Sequence, residues 1–174
     1  LVRDGGETIW SPAVDRHQAA SPQGAFLVTS LLKGVVDHGT AAKARAMGVQ
    51  GPVAGKTGTT DGYRDAWFVG YTPDLAIGVW VGFDDERPIK LTGAQAALPI
   101  WSDLAVRLIP RQHADFDPPS GIVERRIDPR TGQLATAQCP ERRTEFFIVG
   151  TEPTAYCEVH GGGLLEQLKI GRAH

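Results

Sequence analysis

The pattern of apolar and polar positions is most regular in the middle of the chain, over residues 51–110. Three short strand-like runs lie there, a run of small residues at 53–60 and two apolar runs at 66–71 and 75–83, and turn-forming residues separate them. Runs of this length joined by short links predict an antiparallel meander of three strands. Because the second and third runs are apolar almost throughout, we expect helices to cover the sheet.

Two stretches of helical periodicity flank these strands. Ser21 and Pro22 are suited to begin the first helix, and Gly39 is suited to end it. Its expected apolar face comprises Val28, Leu31, Leu32, Val35 and Val36. The second helix is expected over 95–109, with Pro99 in its first turn. One side of that helix is expected to carry Ile100, Trp101, Leu104, Ala105 and Leu108.

Both ends of the chain predict short β-structure. Asp4-Gly5-Gly6 is a turn sequence between two short apolar runs, which favours a hairpin. After a break rich in Pro and Gly, residues 122–127 predict a strand that is followed by a turn.

We therefore divide the chain into a domain of residues 1–110 and an extension of residues 111–174. The expected fold class is α/β in the α+β sense, an antiparallel sheet flanked by helices, with a small β-rich extension.

Composition excludes several classes of function. The 174 residues are 41% hydrophobic and 22% charged with a formal charge of −2, so no basic field favours nucleic acid. No apolar run approaches the roughly 20 residues of a membrane helix, and we expect no membrane contact from this segment. The chain begins with Leu1 and shows no signal peptide, so we expect it to be a piece of a longer protein.

The segment 55–60, Gly-Lys-Thr-Gly-Thr-Thr, is the most suggestive of chemistry. On a strand, the hydroxyls of Thr57 and Thr59 project to one face, and together with the Lys56 ammonium they suit a carboxylate. Gly58 lets a ligand approach the backbone, and a backbone N–H can serve in an oxyanion hole. A phosphate loop is excluded because it requires Gly at position 50, where this chain has Gln50. An ordinary exposed strand is the alternative.

Longer stretches around this segment resemble class A penicillin-binding proteins, in which Lys-Thr-Gly is a known motif. Residues 54–60 and 64–75 are similar to the active-site strand and the segment after it, and 78–84 continues the similarity. Shorter matches in the same order lie at 21–23, 97–101, 127–132 and 150–154. The chain thus resembles the C-terminal part of a bifunctional enzyme's transpeptidase domain.

The resemblance implies a serine-type D-Ala-D-Ala transpeptidase that cross-links peptidoglycan and binds penicillin. It implies Lys56 and Thr59 as catalytic residues, through positive charge with proton transfer and through an oxyanion-hole N–H. It implies Lys56, Thr57, Gly58 and Thr59 as the substrate-binding residues, with Arg64, Asp65 and Trp67 structural. No cofactor or metal is expected.

The same resemblance implies the partners and the location. The partners are peptidoglycan stem peptides, β-lactams and the upstream half of the same enzyme, which would carry a glycosyltransferase domain and an N-terminal membrane helix. This part of the enzyme would lie on the extracytoplasmic, periplasmic side of the cytoplasmic membrane.

Two motifs of the family are missing. Since the chain has no Asn, it has no Ser-x-Asn, and its one Ser-x-x-Lys, Ser30 to Lys33, lies inside the first predicted helix. The family places its nucleophile far upstream of Lys56, so we expect the chain to lack the nucleophile and to be inactive alone. The alternatives are a truncated, non-catalytic interaction module and a related D-Ala-D-Ala carboxypeptidase or β-lactamase, against which the extension argues.

Two cysteines, Cys139 and Cys157, suit a disulfide in an oxidising compartment, and two unpaired thiols fit the spacing equally well. With His160 they supply three of the four ligands of a structural zinc site. The fourth would be His17, His113 or His174. The sequence favours a disulfide over zinc.

Overall fold

The computed structural model of the chain describes residues 2–4, 7–10 and 17–161. In order, the elements are β1 (Val2–Asp4), β2 (Glu7–Trp10), α1 (Pro22–Asp37), α2 (Lys43–Ala46), β3 (Ala54–Thr59), a 3-10 turn (Asp61–Tyr63), β4 (Ala66–Tyr71), β5 (Ala76–Val81), α3 (Ala97–Leu108), β6 (Ile122–Ile127) and β7 (Arg143–Ile148). The strands form antiparallel sheets, β1-β2, β3-β4-β5 and β6-β7, so the α+β class is confirmed.

The central sheet is the predicted meander, with β3 at one edge. Its three strands lie within the predicted runs and differ from them by at most two residues at either end. Thr72 closes the β4–β5 turn: its N–H donates to the carbonyl of Leu75 at 2.9 Å, and its hydroxyl accepts from the Leu75 N–H at 3.1 Å. The turn chemistry at Thr72 therefore fixes the register of β4 against β5.

Helix α1 begins and ends where its capping residues predict. The Ser21 hydroxyl accepts from the N–H of Gly24 at 3.1 Å, and the N–H of His38 donates to the carbonyl of Gly34 at 2.9 Å. The helix packs on β3 and buries Val36 completely. The first half of its predicted apolar face is not buried in the described part of the chain, since Val28 is 54% and Leu31 69% exposed.

Helix α3 covers β4 and β5 through Trp101, which is fully buried. The indole packs edge-to-face on Phe68, with ring centroids 4.8 Å apart, and its Nε1 donates to the carbonyl of Ile77 at 3.0 Å. Gly70 makes room for the indole, because a Cβ there would lie 2.4 Å from the ring. This contact joins the helix to β4 and β5.

The predicted apolar side of α3 is partly wrong. Ile100, Leu104 and Leu108 are 49%, 36% and 56% exposed. The buried residues are Ala97, Leu98, Trp101, Ser102 and Ala105. The apolar stripe is wider than the contact with a three-stranded sheet, so only the side that faces Phe68 is covered.

One face of the central sheet is covered by α1 at its Tyr71 end, where the Tyr71 hydroxyl lies 3.0 Å from that of Thr29, and the rest of this face is not covered by helices of the described residues. Trp67 and Val69 of β4 and Trp80 of β5 lie on that face and are 44–47% exposed. The expectation that helices cover the sheet is therefore confirmed for the opposite face and only in part for this one.

The extension packs against α1. Its hairpin pairs Ile122 with Ile148, and the ring of Phe146 contacts Phe26 edge-to-face, with centroids 5.1 Å apart. The side-chain amide of Gln23 also donates to the carbonyl of Ser120 at 2.7 Å. The contacts tie the extension to the N-terminal half of the helix that supports β3.

Candidate active-site strand

The outer edge of β3 presents main-chain groups that β4 does not use. The N–H of Thr60 donates to the carbonyl of Asp65 on the β4 side at 3.1 Å. Because amides alternate in direction along a strand, the main-chain groups of Thr57 and Thr59 point away from β4. The carbonyl of Thr57 accordingly accepts from the ammonium of Lys56 at 2.7 Å. An extended peptide could pair with this edge.

The side chains of the predicted site alternate between the two faces of β3. Lys56 and Gly58 lie opposite Val69 and Trp67 of β4 on the open face, and Lys56 is exposed. Thr57 and Thr59 share the other face, as predicted. The structure therefore places all four predicted residues on one exposed edge, with the ammonium and the hydroxyls reaching it from opposite faces.

Each threonine hydroxyl has a partner from another segment. The Thr57 hydroxyl lies 3.1 Å from the hydroxyl of Thr40, which follows α1. The Thr59 hydroxyl accepts from the N–H of Gly93 at 3.0 Å. Since Thr59 accepts in that bond, its own O–H is free to donate, and a carboxylate is an acceptor that it could serve.

Gly93 fixes the turn before α3 directly on the β3–β4 ladder. A Cβ at this position would lie 2.4 Å from the carbonyl oxygen of Trp67 and 2.5 Å from that of Gly58. Gly93 and Thr40 could not be identified from the sequence, since neither belongs to a motif and both reach β3 only through the fold.

An open cavity of about 820 Å³ begins at the C-terminal end of β3. The cavity is predominantly acidic, and its lining residues are Thr59, Thr60, Asp61, Arg64, Asp65, Trp80, Phe83, Asp84 and Glu86. Asp65 organises this wall: its carboxylate accepts from the indole N–H of Trp80 at 2.9 Å, and its N–H donates to the hydroxyl of Thr60 at 2.8 Å. The wall is thus held by polar contacts beside the exposed strand edge.

The Ser-x-x-Lys of α1 does not form a nucleophile–base pair. The ammonium of Lys33 donates to both carboxylate oxygens of Asp115, at 2.6 and 2.8 Å. Ser30 lines a pocket between α1 and the extension together with Phe116. Lys33 is thus engaged with the extension, and the expectation that Ser30 is not the nucleophile stays a prediction.

A second group of reactive side chains lies in the extension. Cys139 and Cys157 are buried free thiols, and their sulfurs lie near Asp128 and His160, with all four ligand atoms within 4.8 Å of one another. The fourth member is Asp128, which the sequence suggested only as a turn residue, whereas His174 lies outside the described residues. Burial acts to raise the pKa of Asp128, but hydrogen bonds from the Arg130 N–H, Cys157 and His160 hold it well below its usual value.

Comparison with known families decides what this chain is. The family model for the penicillin-binding protein transpeptidase domain matches residues 2–103, which is more than half of the chain. The chain belongs to this family of transpeptidase domains. A second model, for the C-terminal domain of penicillin-binding protein 1A, matches residues 118–162.

Individual penicillin-binding proteins show the same relationship. Penicillin-binding protein 1A of Aquifex aeolicus is 36% identical over 163 residues, 90% of this chain and 22% of that protein. The Pseudomonas aeruginosa protein of that name is 38% identical over 143 residues, 79% of this chain and 17% of its own length. The crystal structure of penicillin-binding protein 1A from Haemophilus influenzae superposes with a TM-score of 0.66 at 33% identity, covering 78% of this chain and 21% of that one. The chain spans about a fifth of the length of such relatives.

Proposed function

We propose that β3 is the substrate-binding strand of a serine-type D-Ala-D-Ala transpeptidase that cross-links peptidoglycan and is acylated by penicillin. The observation that carries this proposal is the free edge of β3, where Thr57 and Thr59 point main-chain groups outward beside the exposed Lys56. An open cavity adjoins this edge. The free edge suits an extended peptide, and the Lys56 ammonium beside it suits that peptide's terminal carboxylate.

The roles of the individual groups follow from their chemistry. A stem peptide added along the edge would use the outward N–H and C=O groups of Thr57 and Thr59. The two threonine hydroxyls donate to the terminal carboxylate, and the Lys56 ammonium adds positive charge and a proton source. The outward N–H of Thr59 stabilises the oxyanion of the tetrahedral intermediate. Gly58 keeps the strand free of a side chain that would block the approach.

The nucleophile belongs to a part of the enzyme upstream of this chain. The chain covers about a fifth of its relatives and contains no Ser-x-Asn. The exposed Leu31 of α1 and the exposed Trp67 and Trp80 of the sheet are apolar surface that an upstream half would bury. The isolated chain should therefore bind penicillin without forming an acyl-enzyme.

The domain organisation and the location are part of the same proposal. Residues 1–110 form the C-terminal half of the transpeptidase domain, and residues 111–174 form an extension, of which the described part, up to residue 161, packs on α1. Among the described residues, no helix is long and apolar enough to cross a membrane. The enzyme acts on the extracytoplasmic side, held by an upstream anchor, because its peptidoglycan substrate lies there.

Labelling with a fluorescent penicillin tests this function. The 174-residue chain and the longer product of the same gene are incubated with the reagent, denatured and separated by electrophoresis. We expect covalent label on the longer product alone, and less of it on the variant Lys56→Met than on the matched variant Lys43→Met, which removes an exposed ammonium from α2. Label on the short chain would implicate Ser30, and absence of label from both would favour a non-catalytic fragment.

A further inference from the structure

We propose that Asp128, Cys139, Cys157 and His160 form a zinc-binding site in the extension. Two thiols, one imidazole and one carboxylate are ligand types that zinc uses in tetrahedral structural sites. Their ligand atoms all lie within 4.8 Å of one another. Thiolate ligands also select zinc over the hard cations calcium and magnesium.

The individual distances are close to those of a coordination shell. Cys157 Sγ lies 3.2 Å from Asp128 Oδ2 and 3.4 Å from His160 Nδ1. Neighbouring ligands around tetrahedral zinc are about 3.3–3.8 Å apart, which follows from bond lengths of about 2.0–2.3 Å. The distance of 2.5 Å between His160 Nδ1 and Asp128 Oδ2 is shorter than this. Binding of an ion would increase that distance by about 1 Å.

Main-chain hydrogen bonds bring Asp128 and Cys157 together before any ion binds. Asp128 begins the turn after β6, and its N–H donates to the carbonyl of Gln133 at 2.9 Å. Leu134 then bridges to Ile127 on one side and to Tyr156 on the other. The N–H of Cys157 donates to the carbonyl of Leu134 at 2.8 Å. Residues that hydrogen bonds already hold in place lose little conformational entropy when they bind a metal ion.

Groups around the cluster orient its ligand atoms. The N–H of Arg130 donates to Asp128 Oδ1 at 2.9 Å, which leaves Oδ2 directed at the sulfur of Cys157 and the ring of His160. The N–H of Thr136 donates to Cys139 Sγ at 3.3 Å. Such N–H donors stabilise the negative charge that metal-bound thiolates and carboxylates carry.

Burial makes the cluster suitable for a structural ion. Asp128 is 1%, Cys139 4% and Cys157 0% exposed, and the His160 side chain is 16% exposed. The hairpin β6–β7 and its following loops bury few large apolar side chains, and small domains of this kind commonly gain stability from a metal or a disulfide. Binding of Zn²⁺ would displace one proton from each thiol, so the ion would be held by two thiolates, a carboxylate and a neutral imidazole.

A disulfide between Cys139 and Cys157 is the competing arrangement, and it would not involve the side chains of Asp128 and His160. The two arrangements differ in composition and in spectrum. The 174-residue chain is purified from zinc-supplemented medium, and its metal content is measured by mass spectrometry after gel filtration. We expect about one zinc per chain and, after chelation and unfolding, two thiols that react with a thiol reagent.

Cobalt substitution supplies a readout that is independent of the variants. With Co²⁺ the wild-type chain should show thiolate-to-metal charge-transfer absorption and the intense d–d bands of a tetrahedral site. Loss of an outer-shell partner already costs about 10–100-fold in metal affinity, so removal of a ligand by His160→Ala or Asp128→Ala should weaken zinc binding by at least about 10-fold, whereas the control His38→Ala, at the end of α1, should not. A wild-type chain without zinc and with both cysteines oxidised would overturn the proposal. So would a wild-type chain without the tetrahedral cobalt bands, or a zinc affinity equal to that of the wild type in both ligand variants.

Discussion

The substitution Gly93→Ala tests whether the turn before α3 holds the active-site strand. The new methyl group would lie 2.4 Å from the carbonyl oxygen of Trp67 and 2.5 Å from that of Gly58. Both atoms belong to a backbone ladder that cannot turn away as a side chain could. The turn must therefore move outward and give up the bond of 3.0 Å between the Gly93 N–H and the Thr59 hydroxyl.

The expected loss can be worked from these two effects. Overpacking of a well-packed site costs about 1–3 kcal/mol. A lost hydrogen bond adds about 1 kcal/mol, so the free energy of unfolding should fall by about 2–4 kcal/mol. Urea denaturation of the chain, followed by Trp fluorescence, measures this change because Trp101 is fully buried.

Gly78→Ala is the matched control for Gly93→Ala. A Cβ at Gly78 in β5 would meet only Val69 Cγ2, at an ordinary 3.9 Å. A strand glycine in open space should tolerate Ala or gain up to about 1 kcal/mol from it. If Gly93→Ala were as stable as wild type, or if the two variants lost equal stability, the contact between the turn and β3 would be refuted.

Three further substitutions test the packing around the strand, each measured by urea denaturation. Gly34→Ala, in the interior of α1 with nothing within 4 Å of the new methyl group, should stabilise the chain by about 0.5–1 kcal/mol, and a loss of stability would contradict the open site. Trp101→Ala should cost about 3–5 kcal/mol, because it removes the largest fully buried side chain, and a cost below about 1 kcal/mol would place the indole elsewhere. Burial acts to raise the pKa of Asp115, but the Lys33 ammonium outweighs it and holds that pKa below the ordinary 3.8. The ion pair should therefore stabilise the chain by up to about 1 kcal/mol at pH 7 and lose that effect as the pH falls through the lowered pKa, so Asp115→Asn should differ from wild type only above it.

Elements with local signals could be predicted from the sequence. The cap at Ser21 and the turn at Thr72 depend on residues within a few positions of one another, and the corresponding element ends agree with the structure. The strand 54–59 and the shared face of Thr57 and Thr59 follow from the two-residue period of a strand.

Features that depend on distant parts of the chain could not be predicted. Gly93 and Thr59 are 34 positions apart, and no pattern in either segment indicates their hydrogen bond. The buried side of α3 was predicted wrongly because periodicity shows where the apolar stripe of the helix lies. It does not show how much of that stripe the sheet covers. Asp128 was assigned to a turn, since only the folded extension brings it within reach of Cys157, 29 positions later.

The rate of acylation by penicillin tests the central claim about β3 most directly. The longer gene product is compared with its double variant Thr57→Val, Thr59→Val, in which two hydroxyls are replaced by methyl groups of similar size. Hydrogen bonds to a charged group contribute about 1.5–3 kcal/mol each, so the second-order rate constant should fall by at least about 100-fold. A double variant that is folded and acylated within about twofold of the wild-type rate would contradict the assignment of this edge to the substrate carboxylate.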